Sequence, residues 1–256
     1  MNNTTLFTYK LTLAYDGKTY CGWQIQPNAL TIQECVEKAL ETYLKQQVRL
    51  IGAGRTDAGV HAKGQVAHFR IDKTVDTALL KRALNGILPN TIRVLSAELA
   101  NPAFHAQKSA VSKEYHYQIA LGDVVIPFVQ PYVWFVKKKL DLSLLQEAAK
   151  LFIGKHNFSA FANSQDTGAA GKNPFRTIFR LDMRDTEYGI ALEFEGDGFL
   201  YKMVRNITGM LVAVASLERK PDDITMLLLG APRYAAARAA PSQGLFFMKV
   251  TYPTGL

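Results

Sequence analysis

Apolar and polar residues alternate from Phe7 to Tyr15, with Phe7, Tyr9, Leu11, Leu13 and Tyr15 on one side and Thr8, Lys10, Thr12 and Ala14 on the other. That period of two predicts a half-buried strand. The turn-forming stretch YDGKTYCGW follows, and then the period changes. In TIQECVEKALETYLKQQ, the residues Ile32, Cys35, Val36, Ala39, Leu40, Tyr43 and Leu44 form one apolar stripe behind Thr31 and Glu34, which are spaced as a capping box; this predicts a helix. A short strand at VRLIG, a strand at QVAHFRI, a helix at TALLKRALNGIL and a strand at IRVLSA complete a first half.

From KEYHYQIA the order begins again. A strand, a short apolar stretch at YVWF, a helix at LSLLQEAAKLFI, strands at RTIFRLDM and GIALEFEG, helices at LYKMVRNITGMLVAVAS and DDITMLLLG, and a closing strand at GLFFMKVTY follow in turn. Two successive split β-α-β units define the expected fold class: α+β, two ferredoxin-like halves whose mainly antiparallel sheets lie side by side, with helices on one face and a cleft between the sheets as the natural binding surface. The halves are expected over 1–102 and 103–256, joining near Pro102. The small, polar stretch NSQDTGAAGKNP reads as a mobile loop.

Composition narrows the class only a little. With 256 residues, 48% of them hydrophobic, the chain can bury a substantial core. Its two cysteines, Cys21 and Cys35, form neither a disulfide framework nor a metal-ligand cluster, so a reducing cytoplasm is the default. No apolar run approaches a membrane span, and the N-terminus lacks the pattern of a signal peptide. A net charge of +8 suits an anionic partner such as nucleic acid, and equally suits mere solubility.

The chemistry-bearing stretch is GAGRTDAGVH, residues 52–61. It nearly matches two phosphate motifs and satisfies neither: Asp57 stands where G-x-G-x-x-G needs its third glycine, and Val60 and His61 stand where a P-loop needs Lys and Ser or Thr. What remains is an aspartate presented among glycines, with Arg55 two residues away. By itself it is either an Asx-turn residue or a nucleophile or general base kept ionised by a guanidinium. The five histidines show no metal-binding spacing, and no G-x-S-x-G elbow is present.

Two stretches of the second half complete the candidate set. Alternation in SKEYHYQI puts Lys113, Tyr115, Tyr117 and Ile119 on one face and Glu114, His116 and Gln118 on the other. The tyrosines are either core residues or a platform for a stacked base, with Lys113 beside them to meet a phosphate. In GFLYKMVRNITGMLVAVA, Lys202, Arg205 and Gly209 project opposite the apolar stripe; they form a solvated basic face, or Arg205 reaches a carboxylate in the cleft. Lys137, Lys138 and Lys139 read as a solvated edge.

Taken together, YDGKTYCGWQIQP, GAGRTDAGVHAKGQVAHF, LNGILPNTIRV, FHAQKSAVSKEYHYQI, HNFSAFA, FLYKMVRNITGML and APSQGLFFMKVTY resemble the tRNA pseudouridine synthase A family, in the family's order and over nearly the whole chain. The resemblance implies isomerisation of uridine to pseudouridine at positions 38, 39 and 40 of the anticodon stem-loop, without cofactor or metal, by a cytoplasmic homodimer that holds one tRNA across both subunits. It implies Asp57 as the catalytic aspartate, Tyr115 as the tyrosine stacking on the target uracil, Arg205 as the arginine pairing with the aspartate, and Arg55 as the residue filling the space of the flipped nucleotide. Lys113, Lys202, Lys108 and His61 are the further candidate substrate contacts. Two positions depart from the family pattern: Gln107 and Ala162 stand where arginine is common, which leaves Lys108 or the loop after Ala162 to substitute. A noncatalytic RNA-binding protein of the same fold is the rival reading; a hydrolase with paired carboxylates has no second acid at informative spacing.

Overall fold

The computed structural model describes residues 6–163, 173–231 and 237–255. The sequence-expected loop NSQDTGAAGKNP falls largely on 164–172, outside the described residues. The architecture is α+β, with strands paired mostly antiparallel. Two compact units form, one from Met1–Val111 with Phe246–Leu256 and one from Ser112–Leu245.

The first unit thus runs to 111 rather than 102 and takes the closing strand back from the second half. Hydrogen bonding explains both shifts. Val111 N–H donates to Thr251 O at 2.9 Å, Tyr252 Oη donates to Ala106 O at 2.7 Å, and Phe246 and Phe247 pair in parallel with His61 and Ala62.

In this unit the strands β1 (Phe7–Tyr15), β3 (His61–Ile71), β4 (Ile92–Ala100) and the closing β10 (Leu245–Thr251) lie in the order β4-β1-β3-β10, with the two-residue β2 (Ile51–Gly52) on β3. β1 buries Tyr9, Leu11, Leu13 and Tyr15 of the positions its alternation marks, leaves Phe7 half-buried, and buries Thr8 from the polar side as well. Across the β1/β3 register Tyr9 faces Phe69, and their rings stack at 5.4 Å. Helix α1 (Ile32–Leu44) starts where Thr31 Oγ1 accepts the Glu34 amide at 3.4 Å, half of the expected capping box; the Glu34 carboxylate pairs with Lys38. Helix α2 (Thr77–Ile87) is capped by Asp76, which accepts the amides of Ala78 and Leu79, and it buries Leu80 and Leu84.

β3 is buried along most of its length, His68 included at 2% exposure. Burial, then the charges of His105 and Arg70, hold the His68 imidazole down at about 4 against its ordinary 6.5, with a bond to the Ile51 backbone opposing. Below pH 6.5 the unfolded chain therefore takes up a proton that the folded chain refuses until about pH 4. Stability is whole above that window and is lost on acidification through it, by up to about 3 kcal/mol. Urea unfolding from about pH 7 down to about pH 5 should show the decline, and His68→Asn should flatten it; an unchanged slope in that variant would trace the decline to other groups.

The second unit orders β5 (Ser112–Leu121), β9 (Gly189–Gly196), β8 (Phe175–Thr186) and β7 (Gly154–Asn157) as β5-β9-β8-β7, all antiparallel, with β6 (Trp134–Val136) parallel on β5. Its helices are α3 (Leu142–Lys150), α4 (Met203–Ala215) and α5 (Pro221–Leu228). The short β7 is absent from the sequence expectation because GKHN carries no apolar alternation. α4 departs from the expected amphipathic helix: every residue from Met203 to Ala215 is buried except Arg205. Gly209 is part of that packing, since a Cβ there would run into the backbone carbonyl of Arg238.

Candidate active site

The Asp57 loop is built by the turn that precedes it in the chain. Thr56 is the anchor: its Oγ1 shares a 2.8 Å hydrogen bond with Tyr15 Oη, and its carbonyl accepts the Trp23 amide at 3.0 Å. Gly59 N–H donates to Tyr20 O at 3.3 Å, and Val60 N–H closes the turn onto Asp57 O at 3.1 Å. Burial pushes the Tyr15 hydroxyl up to about 12, with bonds to Thr56 and Gln65 opposing, so it keeps its proton at neutral pH. Gln65 Nε2 donates to Gly54 O at 2.8 Å, tying the other end of the loop to β3.

YDGKTYCGW is therefore more than a connection between a strand and a helix. Gly22, at φ 86°, lies against the Thr56–Asp57 backbone, and the indole of Trp23 fills the space over Gly52. The carbonyls of Gly22 and Trp23 accept the first two amides of α1, Ile32 N–H at 3.1 Å and Gln33 N–H at 3.0 Å. Strand, turn, helix start and aspartate loop form one hydrogen-bonded assembly. In it Arg55 is exposed and Asp57 half-buried, with exposed Ala58 beside it.

His61 lies buried in the first unit. The sequence reading places it among the substrate contacts, but its ring is 2% exposed and stacks on Phe246 at 4.8 Å. Its Nδ1 lies 3.1 Å from both the Gly17 amide and Asp16 Oδ1. The side chain pins the start of β3 instead of facing solvent.

In the second unit, Lys113 and Tyr115 lie on β5 opposite Gly196 and Phe194 of β9. Tyr115 is 7% exposed, and Phe199 meets it edge to face at 5.2 Å. Gly196 packs closely here: a Cβ would lie 2.7 Å from Thr177 O and 3.3 Å from Phe199 Cζ. The Lys113 ammonium is held below the usual lysine range by burial first and by the Arg176 charge second, with Asp197 opposing. The structure thus adds Phe199 and Arg176 to the expected pair, and neither lies in a pattern that sequence periodicity could have marked.

Arg205, in the first turn of α4, is clamped at both ends of the residue. Its Nε donates to Ala240 O at 2.8 Å and its own carbonyl accepts the Ala240 amide at 2.9 Å. One residue on, Pro241 O accepts the Tyr117 hydroxyl at 2.6 Å; burial raises that hydroxyl's pKa well above its ordinary value, and the Arg205 charge opposes the shift. The guanidinium is therefore brought to the β5 residue two places from Tyr115. Lys202 takes the left-handed position before α4, with Nζ 5.2 Å over the Tyr201 ring. Lys108 and Gln107 are exposed in the first unit, away from the Asp57 loop in sequence. Ala162 follows a short 3₁₀ turn (Ser159–Phe161), and Lys138 pairs with Glu218.

On the other face of β5, as alternation predicts, Glu114, His116 and Glu193 bring possible ligand atoms within 4.8 Å of one another. Arg180 and Arg184 already pair with these carboxylates, at 3.5 Å to Glu114 and 2.8 Å to Glu193, so the cluster reads as an ion-pair network.

The comparisons with known proteins agree with one another. A family model described as tRNA pseudouridine synthase matches residues 12–107 and 148–253. The chain is 52% identical to tRNA pseudouridine synthase A 1 of Protochlamydia amoebophila over 95% of this chain and 96% of that protein. It is 41% identical to tRNA pseudouridine synthase A of Methylacidiphilum infernorum, over 98% of each, and 38% identical to that of Chlamydia muridarum, over 95% of this chain and 91% of the other. An α+β chain with these matches is an isomerase. It belongs to the tRNA pseudouridine synthase family.

Proposed function

We propose that this protein converts uridine to pseudouridine at positions 38, 39 and 40 of the tRNA anticodon stem-loop, with Asp57 as its catalytic residue. The observation that carries the reading is the Asp57 loop: a carboxylate set on a turn held by Tyr15 through the Thr56 hydroxyl and by Tyr20 and Trp23 through its backbone, in a chain of this family. The reaction breaks the bond from N1 of uracil to C1′ of the ribose, turns the base and joins C5 to C1′; the proton leaving C5 is replaced by one gained at N1. The target must leave the stack and stay captive while detached. An aromatic face holds uracil while leaving it free to turn in its plane, the role given to Tyr115. Arg205 is the ionic partner of Asp57, and Arg55 fills the gap left in the stem.

Asp57 acts at the ribose, by attack on C1′ or by removal of the C2′ proton to give a glycal. Deuterium at C2′ separates the two: a primary isotope effect belongs to proton removal alone. The enzyme works in the cytoplasm as a homodimer on one tRNA, without cofactor or metal. Lys113, Lys202 and Lys108 contact the RNA backbone. Incubating the protein with unmodified tRNA should place pseudouridine in the anticodon arm at 38, 39 and 40; modification confined to another arm would overturn the site assignment.

A further inference from the structure

Residues His105–Ser109 form a turn in which five successive backbone amides find acceptors, four of them on side chains. His105 N–H donates to Ser109 Oγ at 3.1 Å and Ser109 N–H to His105 O at 2.9 Å. Ala106 N–H donates to Nδ1 of His68 at 3.1 Å. The amides of Gln107 and Lys108 both donate to Nδ1 of His105, each at 3.2 Å. Nitrogens that accept carry no proton, so both histidines must be neutral for the turn to exist. Their rings lie 4.8 Å apart. Burial first holds both below the usual histidine range, helped at His68 by the neighbouring His105 and Arg70 and at His105 by the charge of Lys108.

Two exposed cations flank this neutral pair. Lys108 rides on the turn itself, and Arg70 of β3 is fixed by Nε to Thr8 Oγ1 at 3.3 Å and by Nη2 to Pro102 O at 3.2 Å. Gln107, the neighbouring side chain, brings no charge to the surface. We propose that His105 is a positioning residue that presents Lys108, with Arg70 beside it, as a contact for an RNA phosphate. A lysine is a flexible point charge. Fixing its backbone through the His105 acceptor removes part of the ordering that binding would otherwise require. The inference rests on the reading of tRNA as substrate.

The test is the salt dependence of tRNA binding by the full-length protein. Removing one phosphate contact should lower the slope of log affinity against log salt by about one. Lys108→Ala should do so by removing a charge. His105→Ala should do the same although it removes none, and the double variant should show no further drop, because both act through one contact. His105→Asn, which can place an oxygen near the position of Nδ1, should restore the slope. In turnover the same variants should raise KM several-fold with kcat little changed. An unchanged slope for Lys108→Ala overturns the proposal even where His105→Ala does not fold. So does a His105→Ala defect that adds in full to that of Lys108→Ala, or one that appears in kcat alone. Should the protein bind tRNA without making pseudouridine, the activity reading fails while the binding cycle is still read in full.

Discussion

Asp57→Asn is expected to leave tRNA affinity and fold intact and to cut the single-turnover rate of pseudouridine formation by at least about 1,000-fold. The substitution keeps the shape of the side chain and removes the carboxylate proposed to attack C1′ or to take the C2′ proton. The bonds that shape the loop run through the Thr56 hydroxyl and carbonyl, the Gly59 and Val60 amides and the Asp57 carbonyl, and all of these survive. The fold should therefore be retained, which a cooperative urea transition checks. Binding should hold because phosphate contacts supply most of the affinity for RNA. Asp57→Ala should behave in the same way, which guards against slow deamidation of the asparagine. A variant that modifies tRNA at a tenth of the wild-type rate or better would remove Asp57 from the chemistry, and would favour the rival in which this fold only binds RNA.

Much of the local structure was legible in the chain. The strand at Phe7–Tyr15 and its buried positions from Tyr9 on follow from alternation, and the start of α1 follows from Thr31. Asp57 stood out as an acid among glycines beside an arginine, and alternation in β5 separated Tyr115 and Tyr117 from Glu114 and His116. What escaped was whatever depends on contact across long stretches of sequence. Alternation has no meaning in β3, which is buried on both sides, so His61 could not be told from an exposed residue there. α4 is amphipathic by pattern and yet buried almost all round, because the segment at Arg238–Ala240 lies along it and claims Arg205 and Gly209. The return of β10 to the first unit rests on parallel pairing with β3, which no local period announces.

The same limit hid the role of Gly22, and it supplies the second large effect. Gly22→Ala should destabilise the protein by about 2–4 kcal/mol and lower the rate of modification by about 100-fold or more. Two costs combine. At φ 86° an alanine is strained, and its Cβ would lie 2.5 Å from Thr56 O and 3.0 Å from the carbonyl carbon of Asp57. Backbone cannot yield as the end of a flexible side chain does, so the Asp57 loop must move. The same residue's carbonyl accepts the first amide of α1, so displacement on the turn side loosens the helix start as well. Gly86→Ala is the matched control: it lies in α2 with nothing within 4 Å of the new Cβ, and it should stabilise by about 0.5–1 kcal/mol with activity unchanged. The two readouts must fall together in Gly22→Ala, in urea unfolding and in single turnover at saturating enzyme. If stability drops while the folded fraction turns over at the wild-type rate, this contact supports the fold without setting the position of the aspartate, and the placement of Asp57 must come from the bonds to Tyr15, Tyr20, Trp23 and Gln65.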